Sequence, residues 1–100
     1  MGVSEILAAL ADKNRRMILD KLKEGRITTG DLAQSLGVSP QSLSYHLAKL
    51  KKADLIRETK YKNFIYYELD LTILDEVILW LSGLKSNSEG SDSNENDENK

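Results

Sequence analysis

Residues 39–56 read SPQSLSYHLAKLKKADLI, and this segment carries the strongest structural signal in the chain. Ser39 followed by Pro40 is typical of the N-cap and the first position of a helix. Leu43, Leu47 and Leu50 recur at helical spacing and predict one buried face. The segment therefore predicts a capped helix with a basic end that runs directly into a strand.

A second helix precedes this segment. It runs from Thr29 to Leu36, and Gly37 ends it shortly before Ser39. A helix, a tight turn and another helix that begins with small polar residues are typical of a DNA-reading helix-turn-helix.

The rest of the chain predicts the other elements of a winged helix-turn-helix. Ser4 and Asn14 are the expected caps of two earlier helices, and Ile27–Thr28 is an expected short edge strand. The predicted ranges are helices 4–11, 14–24, 29–36, 39–53 and 71–84, and wing strands 55–60 and 64–69 around a basic turn. The predicted fold is mainly α (α+β): two helices, a short strand, two helices, a β-hairpin wing and a last helix, in a dimer.

The charge is distributed unevenly along the chain. The 100 residues carry a formal net charge of −2, but residues 85–100 alone hold five acids and two lysines. Residues 1–84 are therefore slightly basic, and residues 39–62 hold six basic and two acidic side chains. Such a local excess is the electrostatic footprint of a nucleic-acid partner. We expect a DNA-binding and dimerisation domain over residues 1–84 and a disordered, acidic Ser/Asn-rich tail over 85–100, which lacks apolar side chains.

The composition indicates where in the cell the protein resides and which kinds of site it lacks. The chain has no cysteine, which excludes disulfides and thiolate metal sites. No signal peptide is recognisable, and the longest uncharged apolar run, Val77–Leu84, is far shorter than the roughly 20 residues of a membrane span. We expect a cytoplasmic protein that is nucleoid-associated when bound to DNA, and no enzyme, because no nucleophile–base pair or phosphate loop is present.

The outer face of the 39–53 helix suits base reading. Gln41 can bond adenine, Ser44 can donate or accept, and Tyr45 offers a hydroxyl and a ring face for a thymine methyl group. The lysines expected to meet phosphates are Lys49, Lys51 and Lys52 on this helix and Lys60 and Lys62 on the wing. An ordinary solvated helix face could carry the same residue types, and the basic wing favours the DNA interpretation.

His46 is the single histidine of the chain. It lies between the predicted core face and the basic flank, with no cysteine or second histidine near it in sequence. Helix packing or a phosphate hydrogen bond is expected here, rather than metal ligation or acid–base catalysis.

Three motifs resemble the ArsR/SmtB family of winged-helix repressors, and within it the subgroup of sporulation-delay autorepressors. Residues 10–19 resemble the family's entry into its second helix, residues 42–50 its Ser-x-Ser-x-His-Leu-x-x-Leu recognition helix, and residues 64–69 its second wing strand. The resemblance implies DNA contacts by Pro40, Gln41, Ser44 and Tyr45. It implies DNA contacts by Ser42, Lys60 and Lys62 less strongly. Lys13 replaces the usual proline, and Tyr45 stands where histidine or arginine is common, which implies a different operator.

The resemblance does not extend to the metal-sensing sites of the family. The segment Thr28-Thr29-Gly30-Asp31 stands where metal-responsive members have Cys-x-Cys-Asp, and the last helix offers Asp70, Asp75 and Glu76 without a histidine. Soft or borderline ions need Cys or His ligands. We therefore expect neither a metal nor another cofactor.

The last helix predicts a partner. Its apolar residues cover nearly half of its circumference, which exceeds the ~100° stripe of a helix that packs only on its own domain. A two-fold dimer is expected to use Ile6, Leu7, Leu10, Ile73, Leu74, Val77, Trp80, Leu81 and Leu84. In the alternative interpretation, Trp80 covers the base of the wing.

Together these features predict a homodimeric transcriptional repressor that binds a palindromic operator. Its own promoter is one candidate target. The alternative is a winged helix used for protein docking, or a repressor that a protein partner sequesters from DNA.

Overall fold

The computed structural model describes residues 2–89, which form five helices and one three-stranded sheet. In chain order these are α1 (Val3–Leu10), α2 (Lys13–Leu22), β1 (Ile27–Thr28), α3 (Thr29–Leu36), α4 (Pro40–Lys52), β2 (Ile56–Tyr61), β3 (Phe64–Leu69) and α5 (Leu71–Glu89). The predicted winged helix-turn-helix order is confirmed.

The helix-turn-helix is fixed by side-chain caps and one left-handed residue. The Thr28 hydroxyl accepts a hydrogen bond from the backbone N–H of Asp31 (3.2 Å), and the Ser39 hydroxyl accepts one from Ser42 (3.1 Å). Gly37 has φ +66°, a conformation that glycine adopts without steric cost. Its N–H donates to the carbonyl of Ala33 (2.9 Å), which ends α3 and turns the chain into α4.

The sheet is antiparallel with strand order β1-β3-β2. Thr28 pairs with Tyr66, Ile56 with Leu69, and Tyr61 with Phe64, so the wing is a continuous hairpin tied to the body by the short β1. Because side chains alternate between the two faces of a strand, Glu58 and Lys60 share the face of Ile56, which is buried in the core.

One hydrophobic core joins all five helices to the base of the wing. Its largest fully buried side chains are Ile6, Ile18, Leu32, Leu43, Leu50 and Leu55. Leu43, Leu47 and Leu50 form the inner face of α4, as predicted. Burial of these leucines holds the opposite face of α4 toward solvent.

Three local predictions were wrong. The cap of α2 is Asp12 rather than Asn14, because the Asp12 carboxylate accepts from the N–H groups of Asn14 (2.8 Å) and Arg15 (3.2 Å) and the helix begins at Lys13. Ser4 lies inside α1, whose N-cap is Gly2. The last helix continues past Leu84 to Glu89, because apolar spacing reports burial, whereas backbone hydrogen bonding does not depend on apolar side chains.

The tail over residues 85–100 was predicted to be disordered. This is wrong for residues 85–89, which continue the backbone hydrogen bonding of α5, and residues 90–100 lie outside the described part of the chain. Within residues 2–89, no helix combines the length and the apolar character needed to cross a membrane.

Candidate nucleic-acid interface

The outward ridge of α4 presents the side chains predicted to read bases. Gln41, Ser44 and Tyr45 are exposed, as is Ala48 between them and the basic end of the helix. Pro40 is exposed at the first helical position, and Ser42 is half-buried. The ridge therefore combines an amide, a hydroxyl and a phenol with a small residue that allows close approach to a base edge.

Tyr45 is the largest side chain on this ridge and is 58% exposed. The Lys49 ammonium lies 5.5 Å from the centre of its ring, and the His46 ring meets it edge-on at 5.3 Å. These two neighbours contact the ring, and more than half of the residue remains exposed.

His46 belongs to the packing of α4 and not to the exposed ridge. It is only 8% exposed, and its Nδ1 accepts a hydrogen bond from Nη1 of Arg15 at 3.2 Å. Since a guanidinium can only donate, Nδ1 is the acceptor in this contact. The Asp12 carboxylate lies 4.0 Å from the same nitrogen. Of the two roles predicted for His46, the structure shows helix packing.

Asp12 and Arg15 form the rest of this junction between α2 and α4. Burial raises the pKa of the Asp12 carboxyl, but the backbone N–H groups of Arg15 and Asn14 and the Arg15 charge outweigh it, so that this pKa lies below its usual value. Arg15 also donates to two carbonyl groups of α1, from Nε to Ala9 (2.8 Å) and from Nη2 to Ala8 (3.3 Å). One arginine thus connects three helices, a role that sequence reasoning missed.

The wing is fastened to α4 by an ion pair. Lys51 Nζ lies 2.6 Å from Oε1 of Glu58 on β2, and the Tyr67 hydroxyl donates to the same oxygen at 3.4 Å. The hydrogen bond to Lys51 lowers the pKa of Glu58, and the same bond raises the pKa of Lys51. Burial raises the pKa of the Tyr67 hydroxyl. Lys51 is therefore engaged by the wing, whereas a phosphate contact was considered for it from sequence.

The other four lysines predicted to bind phosphate are all exposed. Lys49 and Lys52 lie on the last two turns of α4, and Lys60 and Lys62 lie at the distal end of the wing. Lys62 has φ +55° in the hairpin turn, and its ammonium lies 5.5 Å from the Tyr61 ring. The exposed lysines therefore form two groups, one at the C-terminal end of α4 and one at the end of the wing.

The nine predicted dimer residues divide into three groups by their exposure in the single chain. Ile6, Ile73 and Val77 are buried within the single chain, so the prediction is wrong for them: such side chains have almost no area left for a partner. Leu10 and Leu74 are half-buried at the edge of the core. The remaining four are exposed, namely Leu7, Trp80, Leu81 and Leu84, and Ile78 beside them is 58% exposed.

The acidic residues considered as metal ligands are spread over the fold. Asp31 lies in the first turn of α3, and the Asp70 carboxylate accepts from the N–H of Thr72 (3.1 Å) at the start of α5. Within residues 2–89, no three Asp, Glu, His or Cys side chains gather into a group that could hold a metal ion.

The fold and this surface define the class: a winged helix-turn-helix protein with an exposed recognition helix. Residues 10–59 match the family model described as "Helix-turn-helix domain". The transcriptional repressor SdpR of Bacillus subtilis (strain 168) is 40% identical over 79 residues, which cover 79% of this chain and 88% of SdpR. The chain belongs to the ArsR/SmtB family of winged helix-turn-helix repressors, whose members are transcriptional regulators.

Two solved structures show the same fold. An ArsR-like transcriptional regulator from Rhodococcus sp. RHA1 has a TM-score of 0.81 and 27% identity, with 85% of this chain and 78% of that chain covered. The winged helix-turn-helix DNA-binding domain of Mb0332 from Mycobacterium bovis, which is described as homodimeric, has a TM-score of 0.70 and 23% identity over 84% of this chain and 78% of that one.

Proposed function

We propose that this protein is a homodimeric transcriptional repressor that binds a palindromic operator and excludes polymerase from it. The observation that carries the proposal is the α4 ridge: a helix capped by Ser39, held by three buried leucines, and presenting Gln41, Ser44 and Tyr45 to solvent. Membership of a repressor family supports the same function. The protein acts by occupancy and needs no catalytic step.

In this proposal one set of exposed residues contacts the bases and another contacts the phosphates. Gln41, Ser44 and Tyr45 contact base edges in the major groove, while Pro40 and Ser42 set the approach of the helix start. Phosphate contacts come from the four exposed lysines, Lys49, Lys52, Lys60 and Lys62. Sequence preference thus comes from the ridge, and salt-dependent affinity comes from the lysines.

The dimer is proposed from the apolar surface of α5. Ile78 and Leu81 are exposed and half-buried Leu74 lies on the same side of the helix, and Leu7 of α1 is also exposed. Association would remove this contiguous apolar surface from water. A two-fold axis through α5 would place two recognition helices about 34 Å apart, one helical turn of DNA. The homodimeric description of the Mycobacterium bovis domain, which has the same fold, is in line with this arrangement.

The domain boundary in this proposal is the end of α5. The DNA-binding and dimerisation domain includes α5 up to Glu89, rather than ending at Leu84, and the acidic residues beyond it form a tail. As a regulator of chromosomal genes, the protein would act in the cytoplasm and be nucleoid-associated when bound.

The proposal is tested by fluorescence anisotropy with a fragment of the protein's own promoter and a scrambled fragment of equal length. We expect the wild type to prefer the promoter, and Ser44→Ala and Tyr45→Ala each to weaken promoter binding by ~1–3 kcal/mol. Scrambled DNA should be bound about equally by all three proteins. Equal losses on both fragments would contradict a base-reading role for Ser44 and Tyr45.

A second candidate is control by a protein partner that sequesters the repressor. The exposed apolar side chains at the end of the wing, Tyr61, Phe64 and Ile65, are the observation that favours a protein-binding surface. Purified protein that fails to shift its promoter fragment at physiological salt would favour protein docking over DNA binding.

A further inference from the structure

A small groove lies between α1, the start of α2 and the C-terminal half of α4. Its volume is 140 Å³, and it is lined by Glu5, Ala8, Ala9, Arg15, Lys49 and Lys52. Three of these six residues are cations and one is a carboxylate. The groove is therefore a concave and mainly cationic site directly beside the recognition helix.

Arg15 is held rigidly in the wall of this groove. Its guanidinium donates to the carbonyl groups of Ala8 and Ala9 and to Nδ1 of His46, so that each of its three nitrogens is fixed by one bond. A guanidinium has five N–H groups, and two remain for a further acceptor. A fixed fork of this kind loses little entropy when it binds a phosphate oxygen.

Lys49 and Lys52 come from α4, one turn apart. Within residues 2–89, neither takes part in an ion pair, whereas Lys51 between them is paired with Glu58 of the wing. The groove therefore carries more positive charge than its single carboxylate, Glu5, balances.

The position of the groove relative to the ridge indicates its ligand. At 100° per residue, Tyr45 and Lys52 lie opposite the buried leucines, Lys49 lies on the flank toward Arg15, and Lys51 lies on the flank toward the wing. A major groove that holds α4 is about 12 Å wide and is bordered by a phosphate strand on each side. The wing lies on one flank of α4, and the cationic groove lies on the other.

We propose that this groove binds a backbone phosphate of the DNA strand that lies on the α1–α2 side of the recognition helix. The inference rests on the proposed function and adds to it a defined phosphate site with Arg15 as its anchor. The Arg15 fork and the two ammonium groups contact the phosphate oxygens. Glu5 opposes this binding by charge repulsion.

The test is the salt dependence of promoter binding by the full-length chain and its Lys49→Gln, Lys52→Gln and Glu5→Gln variants. The slope of log K, the association constant, against log [salt] is negative, and each lysine variant should make it less negative by about 1. Each should also weaken binding at low salt by about five- to tenfold, on promoter and scrambled DNA alike. Glu5→Gln should strengthen binding by about two- to fivefold. The matched control is Lys23→Gln, which removes a lysine paired with Asp20 at the end of α2 and should leave binding and slope unchanged.

The outcomes separate this inference from the proposed function. If the wild type does not prefer its promoter, the proposed function fails. If the wild type binds and the lysine variants have the slope of Lys23→Gln, or if Glu5→Gln weakens binding, the phosphate site is wrong. Arg15→Lys keeps the charge and removes the fork, and should weaken binding by about threefold or more. Should that variant unfold, Glu5→Gln and the phosphate titration below still decide, because Lys49 and Lys52 contact phosphates in the proposed function as well.

A final arm distinguishes a DNA phosphate from a free one. Inorganic phosphate is titrated into the DNA-free protein while the amide signals of Ala9, Arg15 and Lys49 are followed by NMR. Weak, millimolar binding that promoter DNA displaces supports the inference. Tight phosphate binding that persists in the DNA complex would assign the groove to a small anionic ligand and overturn it.

Discussion

The helices α4 and α5 use their apolar residues in opposite ways. In α4 the three leucines are all buried by the chain itself, and the exposed face is polar. In α5 the core takes Ile73 and Val77, while Ile78, Leu81 and other apolar side chains remain exposed. A helix that its own domain covers presents its remaining face for recognition of another molecule by polar contacts. A helix that its own domain covers only in part retains apolar surface for a second copy.

The largest expected effect is on the stability of the single domain. Leu50 of α4 is fully buried, so Leu50→Ala should lower the free energy of unfolding by ~2–5 kcal/mol through lost burial and a cavity. Leu79 of α5 is 72% exposed, and Leu79→Ala should cost less than about 0.5 kcal/mol. Urea denaturation followed by circular dichroism measures both. Similar losses for the two variants would contradict the contrast between the helices.

The second prediction concerns the partner of α5. Ile78→Glu places a carboxylate in the exposed apolar arc and should convert the dimer into a monomer at micromolar concentration. Loss of the second recognition helix should then weaken promoter binding by about 100-fold or more. Sedimentation velocity and anisotropy measure the two effects.

Leu79→Glu is the matched control for this prediction. It adds the same charge one residue further along α5, about 160° around the helix from Leu81. We expect it to remain dimeric and to bind the promoter as the wild type does. A wild-type protein that sediments as a monomer would contradict the proposed dimer.

The comparison of α4 with α5 also shows which parts of the fold could be predicted from the sequence. The ends of α3 and the start of α4 were predicted because Thr28, Gly37 and Ser39 act locally: each cap and the positive-φ residue depends on neighbours a few positions away. Local signals also predicted β3, where aromatic and β-branched residues dominate. For α5 the predicted start at Leu71 agrees with the structure, but its continuation past Leu84 was not predicted, because no apolar residue marks that stretch.

Contacts between distant residues could not be predicted in this way. His46 and Arg15 are 31 positions apart, and nothing in either segment indicates their hydrogen bond. Similarly, periodicity showed that α5 is broadly apolar but could not tell which residues enter the core, so Ile73 and Val77 were assigned to the dimer. The groove beside α4 depends on the packing of three helices and has no sequence signature.

The smallest expected effect is the loss of thermal stability when the ion pair between α4 and the wing is removed. This ion pair is a connection that distinguishes α4 from α5. The hydrogen bond from Lys51 lowers the pKa of Glu58. A carboxyl whose pKa is lower in the folded state stabilises the fold above its unfolded pKa, and this contribution is lost as the pH falls through the folded pKa. The raised pKa of Lys51 contributes below its unfolded pKa and is lost only as the pH rises through the folded value, so the pair is intact at neutral pH.

Glu58→Gln should therefore lower the midpoint of thermal unfolding slightly at pH 7, because the pair is exposed and solvent screens it. The difference from the wild type should shrink as the pH falls below the usual glutamate range, since the wild-type carboxylate then becomes protonated as well. The control is Glu68→Gln, which removes a charge 3.6 Å from Arg57 in the same hairpin without touching α4. If the difference between the wild type and Glu58→Gln stayed constant down to pH 3, the Lys51–Glu58 pair would not be what joins the wing to the recognition helix.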